Sequence, residues 1–316
     1  MGLIQGISEL FPISSLGHTV LIPSWIGGSW ATLVSQESSS ESPYLAFVVG
    51  LHLATALVLL GFYVKEWVRL IAAWFRSVAK RRIETDDERL AWLIVLATIP
   101  VGIAGLALEH TFRTLFAKPL AAALFLTANG VILLGGELWV ARGRAPRGRG
   151  PAHAHAHSRV RIPEVPDAGV REVHGDNQIV PMDEAAEAAL AKVGVVSAML
   201  IGASQILALF AGISREGVTM VGGLFRGLSR ENAMRFAFLL AAPVILAAGA
   251  LKVPDLMGHL GNGIRGQVVA GSVAAALTAL IAILFLARYF KTRTLKPFAY
   301  YSLAFGLASV IRFGFF

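Results

Sequence analysis

Apolar residues dominate long uninterrupted stretches of this chain, and polar residues cluster between them instead of alternating at a helical or strand period. Runs of about 20 apolar residues are long enough to cross a bilayer as helices. Six such spans are predicted, at 44–64, 90–108, 120–140, 235–251, 267–288 and 297–316. Their separators carry the charge. Residues Lys65 to Arg89 are strongly basic and their first half has the spacing of an interfacial helix. RYFKTRTLK at 288–296 carries four basic residues, and QESSSESPY at 35–43 is a polar loop. EHTFRTLFAKP forms a short loop after the second span, and a loop holding Arg226, Arg230 and Arg235 precedes the fourth.

Two stretches break the pattern. LIQGISELFPISSLGHTV at 3–20 places Glu9, Ser14, Ser15 and His18 inside an apolar segment, where ionisable and polar groups are costly and mark a functional site. Pro12 lacks an N–H and biases Phe11 away from helix, so a helix carrying Glu9 should break before the serines and the chain turn back. The second stretch, IGASQILALFAGISREGVTMVG at 201–222, continues an apolar helix that starts near Ala188, runs to Phe210 and breaks at Ala211-Gly212. ISSLGHTV and ISREGVTM align at an interval of 200 residues, matching at Ile, Ser, Gly and Thr, and LAFVVG at Leu45 resembles FAFLLA at Phe236. An internal duplication follows.

The fold class expected is therefore an all-α polytopic membrane protein of two inverted-topology repeats, each a re-entrant helical hairpin plus three transmembrane helices. The first repeat covers 1–140 with its hairpin at 1–27, and the second covers 188–316 with its hairpin at 192–227. Between them, 141–187 is rich in Arg, Pro, Gly and His and reads as a flexible cytoplasmic insert. The positive-inside rule places Lys65 to Arg89, the insert and 288–296 on the cytoplasmic side. Three spans separate the hairpins, so the first enters from the outer face and the second from the cytoplasmic face.

Composition narrows the class. Of 316 residues, 55% are hydrophobic and 15% charged, which excludes a soluble enzyme. Cysteine is absent, so no thiol nucleophile or disulfide exists. The net charge of +8 lies in loops between spans and suits membrane orientation and an anionic substrate better than nucleic acid. No cleavable signal peptide is visible, and the first motif begins almost at once, so the hairpin's first arm is either short or preceded by further chain.

The polar residues suggest phosphoryl transfer. Arg215 stays protonated and forks onto phosphate oxygens, and the backbone beside Gly212 and Gly217 with the hydroxyls of Ser14, Ser214 and Thr219 could complete an anion site. Glu9 can bind a divalent cation or act as acid or base, Ser15 can be a nucleophile, and His18 stands three residues on, where it could activate that serine. His52 and Glu137 take the blander readings of a packed span histidine and an interfacial carboxylate, and the HAHAH tract at 153–157 that of a solvated linker.

QGISELFPISSLGH and AGISREGVT, with the SRENAMRFAFLLAAPVILAAG run after them, resemble the signature motifs of the undecaprenyl-pyrophosphate phosphatase family of the bacitracin-resistance type. The resemblance covers nearly the whole chain. It implies a multi-pass enzyme of the bacterial cytoplasmic (inner) membrane, with its site open to the outer (periplasmic) face. Such an enzyme hydrolyses undecaprenyl pyrophosphate to undecaprenyl phosphate and inorganic phosphate, recycling the carrier for peptidoglycan synthesis. The partners implied are the polyprenyl diphosphate and the membrane, not nucleic acid, and a homodimer is left open. The cofactor implied is a divalent cation, Mg2+ or Ca2+, held by Glu9 with Gln5 and Glu216 as further candidates. Glu9, Ser15, His18 and Arg215 match the catalytic positions, with serine, histidine or water left open as the attacking group. Three positions depart: Gln5 stands where many members have glutamate, and Ala211 and Glu216 replace the proline and serine of PGxSRSG. The alternative is a secondary transporter or lipid flippase, since inverted repeats with broken helices also build transporters. A soluble-type acid phosphatase is disfavoured, because Val221 stands where its second motif needs histidine.

Overall fold

A computed structural model describes residues 1–28, 30, 43–116, 118–144, 184–258 and 263–315. Among them every regular element is helical. In chain order they are α1 (Gly2–Leu10), α2 (Ser15–Ile26), α3 (Pro43–Phe62), α4 (Val64–Lys80), α5 (Asp86–Phe116), α6 (Pro119–Arg144), α7 (Glu184–Ala191), α8 (Val195–Ser204), a 3-10 turn (Gln205–Leu209), α9 (Arg215–Phe225), α10 (Arg230–Met257), α11 (Arg265–Tyr289) and α12 (Lys296–Phe315). Five helices, α5, α6, α10, α11 and α12, are long and apolar enough to cross a membrane. A sixth is counted if α3 and α4, bent by 81°, form one broken span. With no water in the bilayer core, a helix satisfies its own backbone, which is why these apolar runs are helical.

Boundaries differ from hydropathy alone. The second span runs Asp86–Leu108, ending where expected, but its helix passes through Pro100 and continues to Phe116, so EHTFRTLF is helix and not loop. The fourth begins at Arg230, placing Arg230 and Arg235 on the helix, because each finds a carboxylate: Arg230 bonds Glu137, and Arg235 Nη2 lies 2.8 Å from Glu231. The helix expected from Ala188 to Phe210 is instead three pieces, interrupted before Val195 and tightened to a 3-10 turn after Ser204. Both α6 and α7 reach into the ends of the segment expected as an insert, while 145–183, with the HAHAH tract, and 35–42 of the polar loop lie outside the described residues.

Helices too short to cross are packed among the long ones. Nine residues of α1 reach only about 14 Å. α1 packs on α11, and α8 packs on α5. In both cases a glycine permits the approach: a Cβ on Gly6 would collide with the Ala275 carbonyl, and one on Gly202 with the Ala97 carbonyl. α6 and α12 pair reciprocally, with Gly130 against Leu303 and Ala299 and Gly306 against Thr127. α3 lies between α10 and α11. A core of Leu10, Leu59, Leu133, Met220, Phe238 and Ile283 joins the first and last thirds of the chain around the short helices.

Candidate active site at the two helix breaks

Each short pair breaks at a serine that caps the next helix. Ser14 accepts from Gly17 N at 3.2 Å at the start of α2, and Ser214 accepts from Gly217 N at 3.1 Å at the start of α9. A serine hydroxyl at this position satisfies one of the amides left open at a helix N-terminus. The same serine, 200 residues apart, makes the same cap. The two breaks also touch: Gly212 N donates to Ser14 Oγ at 3.2 Å. Gly212 takes φ +121°, and an added Cβ there would lie 2.5 Å from the Ala122 carbonyl, so both conformation and space require glycine.

Asn129 of α6 pins the two breaks together. Its Nδ2 donates to the Pro12 carbonyl at 3.0 Å and to Ser302 Oγ at 3.3 Å, while Oδ1 accepts from Ser214 N at 3.0 Å. Ser14, Gly212, Ser214 and Gly217 are thus occupied in holding the breaks, and Thr219 Oγ1 donates to the Arg215 carbonyl at 2.7 Å.

Glu9, at 4% exposure, is the hub of the polar cluster. Its Oε2 accepts from Gln5 Nε2 at 2.8 Å and from the Ser15 hydroxyl, and lies 3.1 Å from His52 Nε2. Its Oε1 faces Arg215 Nη1 at 3.9 Å. One carboxylate therefore gathers an amide, a hydroxyl and an imidazole on one oxygen and a guanidinium near the other. His52 stands in this cluster and is not merely a packed span histidine. A histidine in the middle of an apolar span was the signal available; what the sequence could not supply was that α1 lies against α3.

His18 is elsewhere. Its Nδ1 bonds the Ser14 carbonyl at 2.6 Å and its Nε2 the Tyr301 hydroxyl at 2.8 Å, and its ring stacks on Tyr301 with centroids 5.7 Å apart. Both nitrogens are engaged, neither by Ser15. The carbonyl partner assigns the proton to Nδ1, which leaves Nε2 to accept from the tyrosine.

Several buried polar atoms here have no hydrogen-bond partner: Arg215 Nε and Nη1, Glu216 Oε1 and Gln5 Oε1. Buried unsatisfied groups call for an explanation, and a ligand is one. Two guanidinium N–H groups beside a carboxylate and an amide oxygen suit an anion that arrives with a cation. Among the described residues no three His, Asp or Glu side chains stand at metal-holding spacing. Glu9, Gln5 and Glu216 nonetheless offer oxygen donors of the kind a hard cation takes. An apolar cavity of about 520 Å³ between α6, α8 and α9, lined by Trp139, Leu207 and Phe225 among others, is separate from this cluster.

Comparison with known proteins supplies the context. A family model described as bacitracin resistance protein BacA matches residues 1–308. The chain is 53% identical to undecaprenyl-diphosphatase 2 of Frankia alni, over 99% of this chain and 96% of that protein. It is also 53% identical to the undecaprenyl-diphosphatase of Mycolicibacterium paratuberculosis, over 98% and 94% of the two chains. Undecaprenyl-diphosphatase 2 of Chromobacterium violaceum is 36% identical over 98% and 95%.

Proposed function

The chain belongs to the BacA bacitracin-resistance family, and from that premise we propose that it is a membrane-embedded undecaprenyl-diphosphatase, releasing inorganic phosphate from undecaprenyl pyrophosphate and returning undecaprenyl phosphate. The observation that carries this reading is the unsatisfied Arg215 fork beside the Glu9 cluster. The transporter alternative finds no support in the family or in the relatives named above.

Phosphoryl transfer needs little covalent chemistry from a protein; positioning and charge neutralisation do most of it. Arg215 Nε and Nη1 bind two oxygens of the terminal phosphate and hold the phosphorus near Ser15 and Glu9. Glu9 accepts the hydroxyl proton of Ser15, or of a water in its place, as the new O–P bond forms and the anhydride O–P bond breaks to release undecaprenyl phosphate; on the Ser15 route water then cleaves the phosphoserine O–P bond, returning the proton to Ser15 and giving inorganic phosphate. His52 fixes the orientation of the Glu9 carboxylate. His18, bonded to the Ser14 carbonyl and Tyr301, positions the first break and does not touch the reacting atoms. Glu9, Gln5 and Glu216 would hold Mg2+ or Ca2+, which when bound neutralises diphosphate charge. Metal-free protein should therefore keep its fold and lose its rate.

The two short pairs are read as inverted re-entrant hairpins meeting within the bilayer, the first opening to the outer face of the inner membrane. The shared serine caps support this. So does the exchange of partners, α1 with α11 and α8 with α5, expected of elements related by a two-fold axis. Glu9→Gln separates binding from chemistry: the purified variant should retain undecaprenyl pyrophosphate and release no phosphate above background. Release at the parent rate would remove Glu9 from the reaction.

A further inference from the structure

α4 is divided lengthwise into three sectors. At about 100° per residue, Val64, Val68, Ile71, Phe75 and Val78 fall on one stripe, and all are exposed, Val68 by 65% and Phe75 by 62%. Lys65, Arg69, Arg76 and Lys80 form the next sector. Glu66, Leu70, Ala73 and Ser77 form the third, and this face is buried, with α4 packed on α5. The helix turns 81° from α3, so if α3 crosses the bilayer α4 runs nearly in its plane.

A stripe of five exposed apolar side chains beside a row of four cations has one chemical complement at that depth. Acyl chains cover the stripe, and anionic headgroups meet the cations. We infer that α4 is an in-plane anchor that binds anionic phospholipid at the membrane surface. Arg69 and Arg76 keep one side toward α5, with Nε atoms 3.3 Å from Asp87 and 3.5 Å from Glu88, and Lys80 reaches Glu84 at 2.8 Å. These contacts fix the rotation of α4, so that the cations flank the stripe instead of pointing into it. Because α3 carries His52, the anchor also sets the tilt of the helix that delivers His52 to Glu9.

The absence of cysteine permits the test directly. Single variants V68C, F75C, K65C and K80C carry a nitroxide label in lipid nanodiscs, and collision with oxygen is compared with collision with a water-soluble nickel chelate. Oxygen should dominate at positions 68 and 75 and the chelate at 65 and 80. Chelate access at all four sites would mean that α4 stands off the membrane, and spin–spin broadening at 68 and 75 would assign the stripe to a second copy; either overturns the inference. Headgroup selectivity is read from thermal midpoints in phosphatidylglycerol-containing and pure phosphatidylcholine nanodiscs. The parent should gain several degrees with phosphatidylglycerol, and Lys65→Gln/Arg76→Gln should lose most of that gain. Each protein is compared with itself, so a general loss of stability cancels. An equal gain in both proteins, or none in the parent, overturns the anionic-lipid assignment.

Discussion

Glu9 illustrates how one residue draws its meaning from partners distant in sequence. A carboxylate buried with a serine, an amide and a histidine on one oxygen is costly unless every contact is met, so loss of one partner should be felt. His52→Ala is expected to lower the rate of phosphate release by roughly 10²-fold, the cost of misplacing a catalytic group by about 1 Å. Tyr301→Phe should stay close to the parent, because it keeps the ring and removes only a hydroxyl bonded to His18. Steady-state release by the two purified variants checks this, and the reverse ranking would return the central role to His18. Gln5 gives a second residue-scale prediction. Gln5→Glu replaces the amide that donates to Glu9 at 2.8 Å with a second carboxylate, which demands a counter-cation. The cation concentration giving half-maximal rate should fall; an unchanged value would mean that no cation sits between the two groups. The motif residues were legible in the sequence because polar groups stand out in apolar runs. That His52, and not His18, stands beside Glu9 was not, since it depends on which helix lies beside α1.

At the scale of elements, the spans were legible, including the ends at 108 and 251, but the starts of two of them and the extent of the helices beyond the apolar part were not. Hydropathy falls at the first charge, but a helix continues while its charges are paired, as Arg230 with Glu137 shows at 2.8 Å and 2.5 Å. The interruption before Val195 was hidden because Lys192 is the only charged residue in an otherwise apolar stretch there. Glu137, 1% exposed, also accepts from Leu295 N at 2.8 Å and so ties α6, α10 and the start of α12. Glu137→Gln should cost about 2 kcal/mol or more, since hydrogen bonds to a charged group are worth about 1.5–3 kcal/mol. Asn129→Ala leaves the Ser214 amide and the Pro12 carbonyl without partners at about 1–3 kcal/mol each. Thermal unfolding in detergent measures both. Asn129→Ala should in addition lower the rate, because it loosens the breaks that carry Ser15 and Arg215, whereas Glu137→Gln should lower the midpoint with a smaller effect on rate.

For the whole molecule, four matched residues at an interval of 200 suggested a duplication in the sequence, and two of the four pairs make the same contact in the structure: Ser14 and Ser214 cap, and Gly17 and Gly217 donate to the caps. The inverted arrangement proposed above makes a topological prediction. Trp25→Cys and Arg226→Cys, at the far ends of the two hairpins, should react with a membrane-impermeant maleimide from opposite faces of oriented vesicles. Labelling of both from one face would contradict the inversion while leaving the site geometry intact.

The central claim is that the Glu9 and Arg215 cluster cleaves a lipid diphosphate. Its most direct measurement is phosphate release from undecaprenyl pyrophosphate by the purified protein in detergent, with and without EDTA, beside Arg215→Ala. The account predicts release that EDTA suppresses and that Arg215→Ala lowers by about 10²–10³-fold, the effect of removing a preorganised donor. A folded protein that binds the lipid without releasing phosphate, or an Arg215→Ala variant as fast as the parent, would contradict it.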